Sequence, residues 1–179
     1  MRQIHRHALA LGLVLALSGC GGDPEPQFEA DPSPAPSEVP TSAPAKEAWE
    51  EKSDDGAIAF VEHWIDEFNA ARSTGDTEAL LSNSTGDCET CNNFVDLIES
   101  IYAAGGSIAT EGWQIAAVGQ LPQTGRRTVV PMTVKQAPQE YEESAGAEIQ
   151  RNPGGEVGMT AAVIWTKDAW KMAQLDLVQ

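Results

Sequence analysis

The sequence predicts an α+β fold, with helices packed on one side of an antiparallel sheet, and three observations lead there. Apolar residues recur at helical spacing between residues 57 and 101. From Trp113 onward the period drops to two. Lys167-Asp168 then separates two alternating runs as a tight hairpin signal. Helices first and strands afterwards are the order of an α+β domain.

The chain begins with a short basic stretch, Arg2, His5, Arg6 and His7, followed by ten apolar residues, 8–17. That run is too short to span about 30 Å of hydrocarbon as a helix, which takes about 20 residues. It has the length of a signal-peptide core. Leu17-Ser18-Gly19-Cys20 closes it and resembles a bacterial lipobox. In signals of that type the cysteine sulfur receives diacylglycerol and cleavage leaves the cysteine as the new N-terminus. Residues 1–19 are therefore expected to be a lipoprotein signal peptide, and Cys20 the lipidated first residue. An ordinary secretory signal with a chance cysteine is the other reading.

Without residues 1–19 the chain has nine Lys and Arg against 27 Asp and Glu, a net charge of −18. No basic stripe survives, which argues against a nucleic-acid partner, since such binding rests on neutralised phosphates. Anionic headgroups would repel the chain as well. Membrane attachment then falls to the acyl chains, at about 0.8 kcal/mol per buried methylene.

Residues 20–48 are expected to be a disordered tether. Seven of the eleven prolines lie between Pro24 and Pro44, among Ser, Ala, Asp and Glu. Such a stretch buries too little apolar surface to offset its ordering entropy. At about 3.1 Å per residue it reaches roughly 80 Å when extended.

Residues 49–179 are expected to hold one domain. Ser53, Asp54 and Asp55 supply a cap and an acidic first turn. Ala57, Val61, Trp64, Ile65 and Phe68 then share one helical face, with His63, Asp66 and Glu67 on the polar side. Ser73-Thr74-Gly75 ends this helix, and Asp76 caps a short second one over 77–81. A third is expected from 87 to 104, with Phe94, Ile98 and Ile101 on one face, before Gly105-Gly106 stops it. Strands are expected around Trp113, Ile115 and Ala117, and around Val130, Met132 and Val134. Two more cover 157–166 and 169–178. The polar, Gly-rich stretch 137–156 is expected to be a loop with one edge strand over 147–150.

Two segments carry a family resemblance. Residues 70–80, Ala-Ala-Arg-Ser-Thr-Gly-Asp-Thr-Glu-Ala-Leu, resemble the helix-turn-helix opening of the nuclear-transport-factor-2-like superfamily. Residues 165–173, Trp-Thr-Lys-Asp-Ala-Trp-Lys-Met-Ala, resemble the closing hairpin of those domains. The resemblance implies a cone-shaped domain with N-terminal helices on a curved antiparallel sheet. Lipobox, proline-rich tether and a Cys-x-x-Cys domain together resemble an uncharacterised family of actinobacterial lipoproteins. The wider superfamily holds isomerases, hydratases, transport factors and binding domains, so fold alone does not settle function.

Candidate chemistry is sparse. Cys88 and Cys91 stand at a helix start, where the dipole favours thiolate and redox chemistry. Against this, a thioredoxin-like centre needs a preceding strand, and Asp87 and Glu89 oppose a thiolate. In an oxidising compartment a Cys88–Cys91 disulfide is expected, contributing about 2 kcal/mol through loop closure. Structural zinc wants four ligands, and His63 is the one histidine outside the signal. We expect His63 on a solvated face and no metal or cofactor. Glu140, Glu142 and Glu143 lack the spacing of a calcium loop. Tyr102 and Tyr141 are the candidate oxyanion donors for isomerase-like work. Trp64, Trp113, Trp165 and Trp170 are either core or cleft residues, and Trp113, Trp165 and Trp170 are the expected pocket.

The expectation is thus a non-enzymatic lipoprotein on the outer face of a bacterial cell membrane, binding a small ligand or an envelope protein. A small isomerase- or hydratase-type enzyme, and a thiol–disulfide protein using Cys88 and Cys91, are the rival expectations. Replacing Cys20 with Ser tests the address: the variant should stay unprocessed or leave the membrane fraction on cell fractionation. Normal cleavage and retention would defeat the lipobox reading.

Overall fold

The computed structural model describes residues 46–178 apart from Gly125. The expected signal peptide, Cys20 and residues 20–45 of the expected tether lie outside the described residues. The chain enters as a single 3-10 turn, Ala48–Glu50. Its Trp49 stacks on His63, centroids 4.3 Å apart and planes within 1°. His63 is therefore half-covered and paired with Glu67 at 3.0 Å, not freely solvated as its polar face suggests.

Helix α1, Asp54–Thr74, starts where the Ser53 hydroxyl accepts the Gly56 N–H at 2.9 Å. It ends at Gly75, whose φ of 80° only glycine adopts without strain. A Cβ there would stand 2.5 Å from the Tyr102 ring. One face of α1 carries Ala57, Phe60, Val61, Trp64, Ile65, Phe68 and Ala71, all 4% exposed or less. Fully burying each large member contributes about 1.5–3 kcal/mol. Helix α2 is short, Glu78–Ser82, and Asp76 caps it by accepting the Glu78 N–H at 3.1 Å. Helix α3, Glu89–Ala103, begins two residues later than the sequence suggests, because extended Cys88 forms its N-cap.

Eight strands follow among the described residues: β1 Ser107–Thr110, β2 Trp113–Val118, β3 Gln123–Thr124, β4 Arg127–Gln136, β5 Gln139–Glu142, β6 Gln150–Asn152, β7 Gly155–Thr166 and β8 Ala169–Leu177. The larger sheet runs β2-β4-β7-β8, with β3 on the start of β4, and every pair is antiparallel. Val130, Met132, Val134, Met159, Ala161, Val163, Met172 and Leu175 point from it into the core beneath the helices. The expected α+β class is what the chain adopts.

The stretch 137–156 departs from expectation. It holds two strands, β5 and β6, which join β1 in a separate three-stranded antiparallel sheet, β1-β5-β6. The expected edge strand over 147–150 sits three residues later, at Gln150–Asn152. These strands are polar because their side chains line a cavity and solvent, so no apolar alternation marks them.

The β7–β8 hairpin turns at Lys167, with φ 56°. Trp165 and Trp170 face each other across it, centroids 5.1 Å apart and edge-on at 81°. The Trp170 indole N–H donates to the Glu51 carbonyl at 2.8 Å, tying the hairpin to the chain's entry. Trp170→Ala removes a 5%-exposed ring and this bond together. We expect it to lower unfolding free energy by about 3–5 kcal/mol, read as a fall in denaturant midpoint. A midpoint unchanged from wild type would contradict the core assignment.

Candidate functional site

A cavity of about 480 Å³ opens between the last turns of α1, the length of α3 and the small sheet. Small-molecule pockets fall in the range of about 300–1,000 Å³. Its apolar wall is Phe68 from α1, Phe94, Leu97, Ile98 and Ile101 from α3, Ile108 from β1 and Trp113 from β2. Opposite stand Gln139 and Tyr141 from β5, Glu143, and Gln150, Arg151 and Asn152 of the β6 strand.

Three aromatic rings form the floor. Phe68 lies 4.7 Å from Phe94 and 4.8 Å from Trp113, and Phe94 meets Trp113 edge-on at 5.8 Å. Trp113 is held by its backbone. Asn69 on α1 accepts the Trp113 N–H at 2.8 Å and donates to the Trp113 carbonyl at 2.9 Å. The side-chain amide thus does for the start of β2 what a neighbouring strand would do.

Arg72 lies in the last turn of α1, where a cation complements the helix dipole. It is only 4% exposed. Its Nη2 donates to Gln139 Oε1, and its guanidinium carbon sits 5.1 Å from the Phe68 centroid and 5.8 Å from that of Trp113. Its Nη1 is buried with no hydrogen-bond partner among the described residues. Burial pushes the guanidinium pKa down, yet arginine keeps its proton in proteins. The Tyr102 hydroxyl donates to the Arg72 carbonyl at 2.7 Å and fixes this turn from behind.

The expected site residues are only partly gathered here. Trp113 lines the cavity, as does half-buried Tyr141. Trp165 and Trp170, also expected in the pocket, do not line this cavity: they pack on each other at the hairpin. Trp64 is core, its indole N–H bound to Ser84 Oγ at 2.9 Å. Tyr102 props α1 from outside the cavity lining. Glu140 pairs with Arg151 at 2.8 Å. No cluster of three or more metal-ligating side chains is found among the described residues. No helix among them is long and apolar enough to cross a membrane. Sequence reasoning missed Arg72, Asn69, Leu97 and Gln139. The signal for Arg72 was its place four residues after Phe68, on the continuation of the apolar stripe.

Cys88 and Cys91 lie at disulfide-bonding distance, their Cα atoms 5.3 Å apart, at the start of α3. Both are at most 1% exposed and belong to the core cluster. In protein purified without reductant, alkylation in denaturant should leave both unmodified until reduction, after which intact mass rises by two adducts. Two freely alkylated thiols before reduction would rule the bond out.

Solved structures resemble this chain at low identity. The intermembrane-space region of the chloroplast protein ARC6 is similar with a TM-score of 0.53 and 14% identity, over 72% of this chain and 98% of that one. An NTF2-like protein of unknown function from Prochlorococcus marinus is similar with a TM-score of 0.43 and 14% identity, over 72% and 94%. An NTF2-like protein from Anabaena variabilis gives a TM-score of 0.36 and 12% identity, over 72% and 93%. No curated protein matches. The model of DUF6318, a family of unknown function, matches residues 28–176, and the chain belongs to that family.

Proposed function

We propose that this chain is an extracytoplasmic lipoprotein of the actinobacterial type its sequence resembles. Acylated Cys20 anchors it to the outer face of the cell membrane, and residues 49–179 form a non-enzymatic domain that binds a small ligand. The observation that carries the reading is the cavity of about 480 Å³ with an aromatic and aliphatic wall and one polar side. That is the composition of a ligand site, where apolar area gives affinity and a few polar groups give orientation.

Two features favour binding over isomerase- or hydratase-type chemistry. Acid–base work of that kind needs a carboxylate desolvated in the pocket, and the carboxylate among the described lining residues, Glu143, is exposed. The Tyr102 hydroxyl is engaged with the Arg72 carbonyl. The buried positions of Cys88 and Cys91 favour a structural bond over thiol exchange, which needs an accessible sulfur.

A neutral fluorescent probe, 1-aminoanthracene, tests the cavity itself. The full chain should bind it with a rise in probe emission. Leu97 lines the cavity yet is 55% exposed, so Leu97→Trp adds bulk there without disturbing the core. We expect that variant to weaken the probe by about tenfold, equivalent to about 1.4 kcal/mol. No binding by wild type, or equal binding by the variant, would remove the reading.

A further inference from the structure

We propose that the cavity is built for an amphipathic carboxylic acid whose carboxylate pairs with the guanidinium of Arg72. The inference rests on the cavity reading above and names its ligand class.

Arg72 is more than nine-tenths buried and lines the cavity. A guanidinium carries five N–H donors. Here Nη2 is engaged by Gln139, while Nη1 has no partner. The chain has 27 Asp and Glu residues, yet neither the His63–Glu67 nor the Glu140–Arg151 pair involves Arg72. Phe68 and Trp113 attract the guanidinium through their rings, its carbon lying 5.1 and 5.8 Å from their centroids, but neither supplies a counter-charge. A desolvated, unpaired charge is costly unless a counter-charge completes it. The fold supplies the cation and omits the anion, so the anion is the ligand's.

The rest of the lining specifies the ligand's body. Phe94, Leu97, Ile98 and Ile101 run along one face of α3 and offer an apolar track that begins beside Arg72's aromatic neighbours. A single buried guanidinium, one positive charge, suits a monoanion. A phosphate dianion would want more donors, and the second cation in the lining, Arg151, is exposed and already paired with Glu140. The chain's acidic field repels anions at long range, so retention depends on the local cation and the apolar track together.

Matched titrations of the full chain with decanoate and 1-decanol test this. The two probes share an alkyl body and differ in charge. Decanoate should bind about ten- to a hundredfold more tightly, as a charge-assisted bond in a desolvated site implies. In Arg72→Met the acid's advantage should vanish while decanol binding persists. Should that variant fail to fold, guanidinium NMR of wild type decides: decanoate should shift the Arg72 Nη resonances and decanol should not. Decanol binding with no preference for the acid, or an acid preference that survives in folded Arg72→Met, would overturn the Arg72 proposal and leave the cavity reading standing. Failure of both probes in wild type would overturn both.

Discussion

The buried face of α1 is the constraint on which the rest of the domain depends. Six positions from Ala57 to Phe68 sit under the helix and over Val130, Val134, Val163 and Leu175 of the larger sheet. That packing fixes the helix axis and, with it, the direction in which the final turn projects. Phe68 belongs both to the core and to the cavity floor. One turn later the stripe that has been apolar carries Arg72. Core and site are therefore successive turns of one helix, and rigidity in the first is inherited by the second.

The opposite wall is held just as firmly. Helix α3 begins at the Cys88–Cys91 pair and is followed by Gly106, whose N–H bonds back to the Ile101 carbonyl at 2.9 Å. Between these ends the Thr77 hydroxyl donates to Glu99 at 2.6 Å, linking α3 to the start of α2. The apolar track of Phe94, Leu97, Ile98 and Ile101 thus lies on a helix restrained at its start, middle and finish. Loop 83–85 pairs with β8 through Met172 on the far side, which couples the helical layer to the large sheet.

Most of this frame was legible in the sequence because burial writes a period into it. The faces of α1 and α3 and the alternation in β4, β7 and β8 all reflect an apolar interior on one side. The small sheet was not legible, and the reason is physical. Gln139 and Tyr141 are two residues apart and both line the cavity, so the inward side of β5 is as polar as its outward side. Of the candidate site, Trp113 was found by its alternation. Trp165 and Trp170 show the same alternation but pack in the hairpin, since a ring facing a core and a ring facing a cavity leave the same mark. Arg72 was hidden for another reason: a cation in a helix's last turn is ordinarily a solvated complement to the dipole.

The entry of the chain has a mechanical consequence. Residues ahead of Lys46 join the domain through the 3-10 turn, which is pinned by the Trp49–His63 stack and by the Trp170 bond to Glu51. A pull arriving from the N-terminal side is thus borne by His63 on α1 and Trp170 on β8. None of Trp49, His63, Glu51 or Trp170 lines the cavity. The two anchors of the chain's entry are therefore separate from the residues that line the cavity, so strain at the entry falls on side chains other than the cavity's walls.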